Sequence, residues 1–189
     1  MFIPFDNINA FFNSTNVSLG HTTQDDTAYA FNDPRIDKLG IHIVSDKNSF
    51  GKNELDIVEG DCLDFFLENG ILGMHLIEDL TKFYPLENNL HFLNAVDFKK
   101  GCYVGQENTA RIKLKNKLTK RLLPINIIDG KLHEGEGIFN KENEIGKVLI
   151  NNEYPFALIK FLDKNFDENA EFKTKEASIK IKKPEWIGK

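Results

Sequence analysis

Cysteine is scarce in this 189-residue chain: Cys62 and Cys102 stand 40 positions apart, with no Cys-x-x-Cys pair and no Cys/His ligand spacing. A disulfide scaffold and a self-contained zinc site are thereby excluded, and any metal role for Cys102 needs ligands from elsewhere. Long hydrophobic runs are missing as well. No apolar stretch approaches the roughly 18–20 residues that span a bilayer. The opening MFIPFDNINAFFNSTN has neither the basic leader nor the apolar block of a secretory signal. The expectation is a soluble, intracellular protein without a membrane partner, cytoplasmic or, in a eukaryote, in the mitochondrial matrix. Excess positive charge is the third absence: 24 Lys+Arg stand against 29 Asp+Glu, a net charge of −5. That excludes a partner held mainly by a basic surface field, such as bulk nucleic acid, but leaves room for a local basic patch. There is no internal repeat or low-complexity tract, and the length suffices to bury a core without staples.

What is present reads as an α+β part followed by a β part. Residues 1–16 mix phenylalanines and isoleucines with asparagines in a pattern compatible with a short amphipathic helix, though Pro4 and the asparagines oppose it. TAYAF (27–31) is extended, NDPR (32–35) is a turn, and LGIHIVSD (39–46) alternates Leu39, Ile41 and Ile43 against His42 and Val44, the period of a strand. NELDIVEGDCLDFFLENG (53–70) has helical apolar spacing, an Asn at its start and Gly70 suited to the left-handed position at its end. Cys62 falls on the apolar face of that helix, where a free cysteine is a buried filler more readily than a reagent. ENTARIKLKNK (107–117) has helical character and carries Arg111, Lys113, Lys115 and Lys117. From residue 118 onward, short β-rich runs separated by DG, GEG and KENE, with alternation again in EFKTKEASIKIKK (171–183), give the rhythm of antiparallel hairpins. A boundary near 118–123 therefore separates an α+β domain, 1–120, from a small β-barrel or sandwich, 121–189.

The stretch KKGCYVGQENTAR (99–111) concentrates the chemistry. A thiol acts as nucleophile or soft-metal ligand through its thiolate, which nearby cations favour, and Lys99 and Lys100 are suitably signed neighbours of Cys102. Gly101 and Gly105 allow a tight loop that presents the sulfur. The same residues also read as a solvated turn followed by a buried segment, and no histidine forms a recognisable catalytic arrangement with Cys102. Gln106 and Glu107 fix the loop or grip a polar ligand; Glu107 equally suits the first turn of a helix, where a carboxylate complements the dipole.

LENNLHFLNAVDFKKGCYVGQENTARIKLKNKLTKRLLPI (86–125) closely resembles the signature region of the YgfZ-type folate-binding proteins. These are relatives of the glycine-cleavage T-protein and include mitochondrial iron–sulfur maturation factors. The string K-G-C-Y-x-G-Q-E is intact as Lys100, Gly101, Cys102, Tyr103, Gly105, Gln106 and Glu107, and the cysteine separates this branch from the aminomethyltransferases proper. DPRIDKLGIHIV (33–44) is similar to the family's Asp-Pro-Arg turn before a strand. FLENGI (66–71) is similar to the segment carrying a pterin-facing acid, a place Glu68 takes here unless it is an exposed helix carboxylate. PLENNL (85–90) supplies a second family-like acid, Glu87, and Arg111 follows the signature as the family's Ala-Arg does.

The resemblance implies a partial T-protein-like folate-binding domain followed by a small antiparallel β-barrel, and an expectation that this chain lacks the family's opening segment. It implies tetrahydrofolate as cofactor, held near Lys100, Gly101, Tyr103, Gly105, Gln106, Glu107, Arg111, Glu68 and Glu87, with Cys102 as the working thiol and no resident metal. The implied function is that of an accessory factor, rather than a classical enzyme, for assembly or repair of iron–sulfur proteins, with iron–sulfur assembly or client proteins as partners. A folate-dependent aminomethyltransferase is the alternative, with Glu68 or Glu87 as the required acid; the intact cysteine signature counts against it.

Overall fold

In the computed structural model, the described residues are 2–3, 17–24, 28–45, 62–73, 76, 84–102, 104–115, 118–160, 167 and 169–188. They fall into two units, 1–69 and 70–189. The mixture of a few short helices with antiparallel sheet makes the chain α+β. No helix among the described residues is long and apolar enough to cross a membrane.

The first unit is built on the period-two pattern. Strands β1 (Phe2–Ile3), β2 (Thr22–Gln24), β3 (Ala28–Asn32) and β4 (Ile41–Ser45) form an antiparallel sheet in the order β1-β4-β3-β2. Across the central pair, Ala30 faces Ile43 and Asn32 faces Ile41, all four buried. The alternate pairs Tyr29–Val44 and Phe31–His42 occupy the other face, where Tyr29 and Val44 are exposed. TAYAF is thus extended as its composition predicts. Leu39, expected to open the second strand, lies instead in a 3₁₀ turn, Asp37–Leu39, because Gly40 takes φ 67° and ψ −149° and starts the strand two residues later. Leu39 is nonetheless fully buried. Of the helix expected over 53–70, the described part is α1 (Cys62–Glu68), which ends at Gly70 with φ 77°. The remainder of that segment, the side chain of Cys62, and most of the helix considered for 1–16 lie outside the described residues. Phe2 and Ile3 are strand rather than helix, paired to His42 and Ile41.

In the second unit, α2 (Gln106–Leu114) precedes six strands: β5 (Lys120–Gly130), β6 (Gly137–Asn140), β7 (Asn143–Ile150), β8 (Phe156–Lys160), β9 (Glu171–Lys173) and β10 (Ala177–Ile181). They close into an antiparallel barrel in the order β10-β5-β8-β7-β6-β9, which settles the barrel-or-sandwich alternative. Leu123, Ile125, Ile138, Val148, Ile159, Phe172 and Ile179 fill it, each fully buried apolar side chain contributing roughly 1.5–3 kcal/mol by transfer from water.

Strand β5 departs from simple alternation: Leu122, Leu123, Pro124 and Ile125 are buried in succession. Leu123 and Ile125 point into the barrel, so Leu122 and Pro124 must be covered from outside. Gly70 and the turn 84–94 do this. Gly70 packs so closely that a Cβ there would come within 2.4 Å of Pro184 and 3.1 Å of Pro124. The turn 84–94 also completes the main chain, since Leu122 N–H donates to Glu87 O at 2.8 Å and Leu122 O accepts from Asn89 Nδ2 at 2.7 Å.

Gly130 ends β5 with φ 85°, and a Cβ there would meet Glu176 O at 2.0 Å. Gly130→Ala should lower the unfolding free energy by about 2–4 kcal/mol. Gly101→Ala, whose Cβ faces open space, should change it by less than about 0.5 kcal/mol. Chemical denaturation of the two variants measures the difference.

Candidate functional site

The signature region begins on the turn that grips β5. Glu87 is buried because its side chain turns back on its own segment: Oε2 accepts the Tyr84 N–H at 3.1 Å. The backbone Glu87 N–H bonds Tyr84 O at 2.9 Å. Beyond the turn, Asp97 Oδ1 accepts the Lys99 N–H at 2.7 Å, and Lys113 Nζ sits 4.0 Å above the Phe98 ring. Lys99, Lys100, Gly101, Cys102, Val104 and Gly105 are all exposed, and Tyr103 lies outside the described residues. The sulfur is therefore presented to solvent.

Gly105 takes φ 86° at the N-cap of α2, the left-handed conformation expected of it. Glu107 stands in the first turn, as its dipole preference predicts, and bonds Arg111 at 2.5 Å on the exposed side of the helix. Such a surface pair contributes at most about 0.5 kcal/mol, so its main effect is to orient Arg111. Gln106 is half-buried at the helix start.

Two of the residues singled out from sequence meet. Glu87 and Arg111, from separate elements, line one cavity of about 190 Å³ together with Tyr84, Asn108, Ile112, Leu118 and Thr119. Pockets that bury a drug-sized ligand run roughly 300–1,000 Å³, so this one takes a single ring system or one short chain. Asn108 and Ile112 escaped the reading of the sequence, although their spacing from Arg111 on a helix puts all three on adjoining positions of one face. Tyr84, Leu118 and Thr119 carry no such signal. Glu68 is placed in the first unit, exposed at the last position of α1.

A further cluster surrounds His91. Its ring lies 4.1 Å from that of Phe92, over which Arg121 also sits at 5.1 Å, and its Nδ1 is buried with no hydrogen-bond partner among the described residues. Arg121 Nη1 donates to Asn89 Oδ1 at 3.0 Å. Burial, and then the charges of Arg121 and Lys113, push the His91 pKa down from 6.5 to about 4.

The first unit holds its own polar centre, built on the Asp-Pro-Arg turn. Asp33, almost wholly buried, receives Arg35 Nη2 at 2.6 Å, Arg35 Nε at 3.0 Å and the Arg35 backbone N–H at 2.9 Å, and contacts His42 Nε2 at 2.7 Å. Phe31 stacks on His42 at 5.0 Å and Arg35 lies 4.4 Å over Phe66. Burial works against the Asp33 carboxylate, but the bonds from His42 and Arg35 outweigh it and hold its pKa well below the usual carboxylate range.

No protein-family model matches the chain. Curated proteins do. It is 34% identical over 105 residues to "Iron-sulfur cluster assembly factor IBA57 homolog, mitochondrial" of Neurospora crassa, 51% of this chain and 23% of that protein. It is 53% identical over 45 residues to "Iron-sulfur cluster assembly factor IBA57, mitochondrial" of Homo sapiens, 24% of this chain and 13% of that protein. It is 55% identical over 68 residues to the IBA57 homolog of Mycosarcoma maydis, 34% of this chain and 17% of that protein. The similarity is to IBA57-type iron–sulfur cluster assembly factors. It supports, at the family level, the resemblance carried by the K-G-C-Y-x-G-Q-E string. The matched stretches span a quarter or less of these relatives' own lengths.

Unfolded His91 takes up a proton near pH 6.5 and the folded residue only near 4, so in that window the unfolded chain binds more protons and stability falls as pH falls. Denaturation at pH 6.5 and pH 5 should differ by about 1.6 kcal/mol from this residue, and His91→Gln should remove that share. Asp33→Asn should cost about 2–3 kcal/mol, below the roughly 3–5 of a fully buried pair because Arg35 is 30% exposed.

Proposed function

We propose that this chain is a tetrahydrofolate-binding accessory factor for the assembly or repair of iron–sulfur proteins, acting in mitochondria like the relatives it matches. The observation that carries the reading is the convergence of Glu87 and Arg111 on one cleft, with Arg111 on the helix whose preceding loop presents the exposed Cys102. Tyr84, Ile112 and Leu118 supply apolar walls, while Arg111, Asn108 and Thr119 supply polar groups for the edge of a ring or a carboxylate tail. The chemistry fits part of a reduced folate, and the volume limits the contact to one portion of it.

When bound, tetrahydrofolate supplies a reduced pterin able to carry one-carbon units or electrons. The protein's own part is to orient that ligand through Arg111, whose guanidinium is braced by Glu107, and to hold the thiol of Cys102 accessible on the approach to α2. A single thiolate is too few ligands to retain an iron–sulfur cluster, which ordinarily takes several. Cys102 thus serves a contact shared with a partner protein. The aminomethyltransferase alternative draws on one feature, the carboxylate of Glu87 in the cleft wall, but its Oε2 already accepts the Tyr84 N–H.

Titration of the purified protein with tetrahydrofolate should give saturable binding, weakened about 10- to 100-fold by Arg111→Ala through loss of a charge-assisted bond; no saturation overturns the reading of the cleft. Cys102→Ser should leave that affinity unchanged and lower the activity of iron–sulfur enzymes in cells. Undiminished enzyme activity removes the thiol from the mechanism, and methylene transfer from an aminomethyl donor favours the transferase instead.

A further inference from the structure

Charge is distributed very unevenly along this chain. Between residues 99 and 121 there are eight lysines and arginines and a single carboxylate, Glu107, a surplus of seven in a protein whose net charge is −5. The remaining residues together carry −12. Five of the eight, Lys99, Lys100, Arg111, Lys113 and Lys115, are exposed along the loop, α2 and its C-terminal end, with Glu107 exposed among them, while Lys120 and Arg121 are half-buried. Two apolar side chains stand exposed on the same elements, Val104 at 103% and Leu114 at 86%. Exposed large apolar residues among cations mark a surface made to be covered.

We infer that the loop 99–105 and α2 together form a docking surface for the acidic face of a partner protein, one that offers apolar recesses for Val104 and Leu114. The inference rests on the reading of Cys102 as a shared contact and specifies what surrounds the sulfur in that contact. Electrostatic complementarity would steer the encounter and fix its register, and the two apolar side chains would add contact area once water is expelled. A nucleic acid or an anionic membrane carries negative charge too, but the observations favour a protein. An extended polyanion would also lie against the acidic remainder of the chain, whereas a bounded acidic patch of protein-surface size need not, given a screening length of about 8 Å. Phosphate backbones have no use for Leu114 and Val104, and the Phe98 ring, which could stack on a base, is already covered by Lys113. Helix α2 presents one strongly exposed apolar side chain, Leu114, rather than the continuous apolar face that lies in a membrane surface.

The test is fluorescence anisotropy on the full chain, without folate, using four probes. These are a short Glu/Asp peptide interspersed with leucines, the same peptide with serines for the leucines, single-stranded RNA of equal charge, and phosphatidylcholine vesicles containing cardiolipin. The leucine peptide should bind most tightly, with affinity falling as salt rises. Lys99→Glu with Lys115→Glu should weaken it at least about tenfold, the corresponding Gln pair by less. Leu114→Ser should abolish its advantage over the serine peptide while leaving the melting temperature unchanged. Equal binding of the two peptides, tighter binding of RNA or vesicles, or indifference to the charge reversal each overturns the inference. Because the tetrahydrofolate titration is a separate measurement, loss of peptide binding with folate affinity intact sinks this surface alone, and the converse sinks only the cleft.

Discussion

Leu122 is the residue on which the arrangement of the second unit turns. Its N–H and C=O are both taken by the 84–94 turn, through Glu87 O and Asn89 Nδ2. A buried main-chain pair left without partners costs on the order of 1–3 kcal/mol per group, so the turn and the strand specify each other's position. Everything the candidate site needs from the turn follows. Glu87 is set in the cleft wall, Asn89 receives Arg121, and the covering of Leu122 and Pro124 leaves β5 buried on both faces over residues 122–125. The barrel thus serves as a rigid mount for a site that is not inside it.

The elements of the site differ in how firmly they are held. The turn is buried and doubly bonded, the cleft residues of α2 are half-buried or exposed, and the loop ahead of the helix is exposed at every described position. Along that gradient the cleft wall is preorganised and the sulfur is left exposed. The polar centre at Asp33 belongs to the other kind of structure. Its carboxylate is saturated by Arg35 and His42 and roofed by Phe31 and Phe66, so its chemistry is spent on holding the turn between β3 and β4.

Much of this was legible in the residues themselves. Composition located β3, alternation located β4, and the rhythm of short β-rich runs between turn residues located the barrel strands; the glycines at 70, 105 and 130 sit at positive φ, and the helix after the signature starts where Gly105 allows. The misreadings have physical causes. Leu39 continues the apolar alternation of its strand, but Gly40 takes a backbone conformation that pattern cannot show. Phe2 and Ile3 look like one face of a helix and are strand because β4 has an edge to pair with. Within the site, Glu87 and Arg111 came from resemblance, and Asn108 and Ile112 were recoverable from helical spacing. Tyr84, Leu118 and Thr119 join the cleft only through the long-range grip on Leu122, which no local pattern encodes.

Gly105 has a geometric corollary for the sulfur. It is the anchored origin of α2, and Cys102 lies three residues upstream of it. A chain segment of three residues extends at most about 10 Å. The backbone at position 102 is therefore leashed within that radius of the helix start, and any group that reacts with the thiol must be delivered into this small volume.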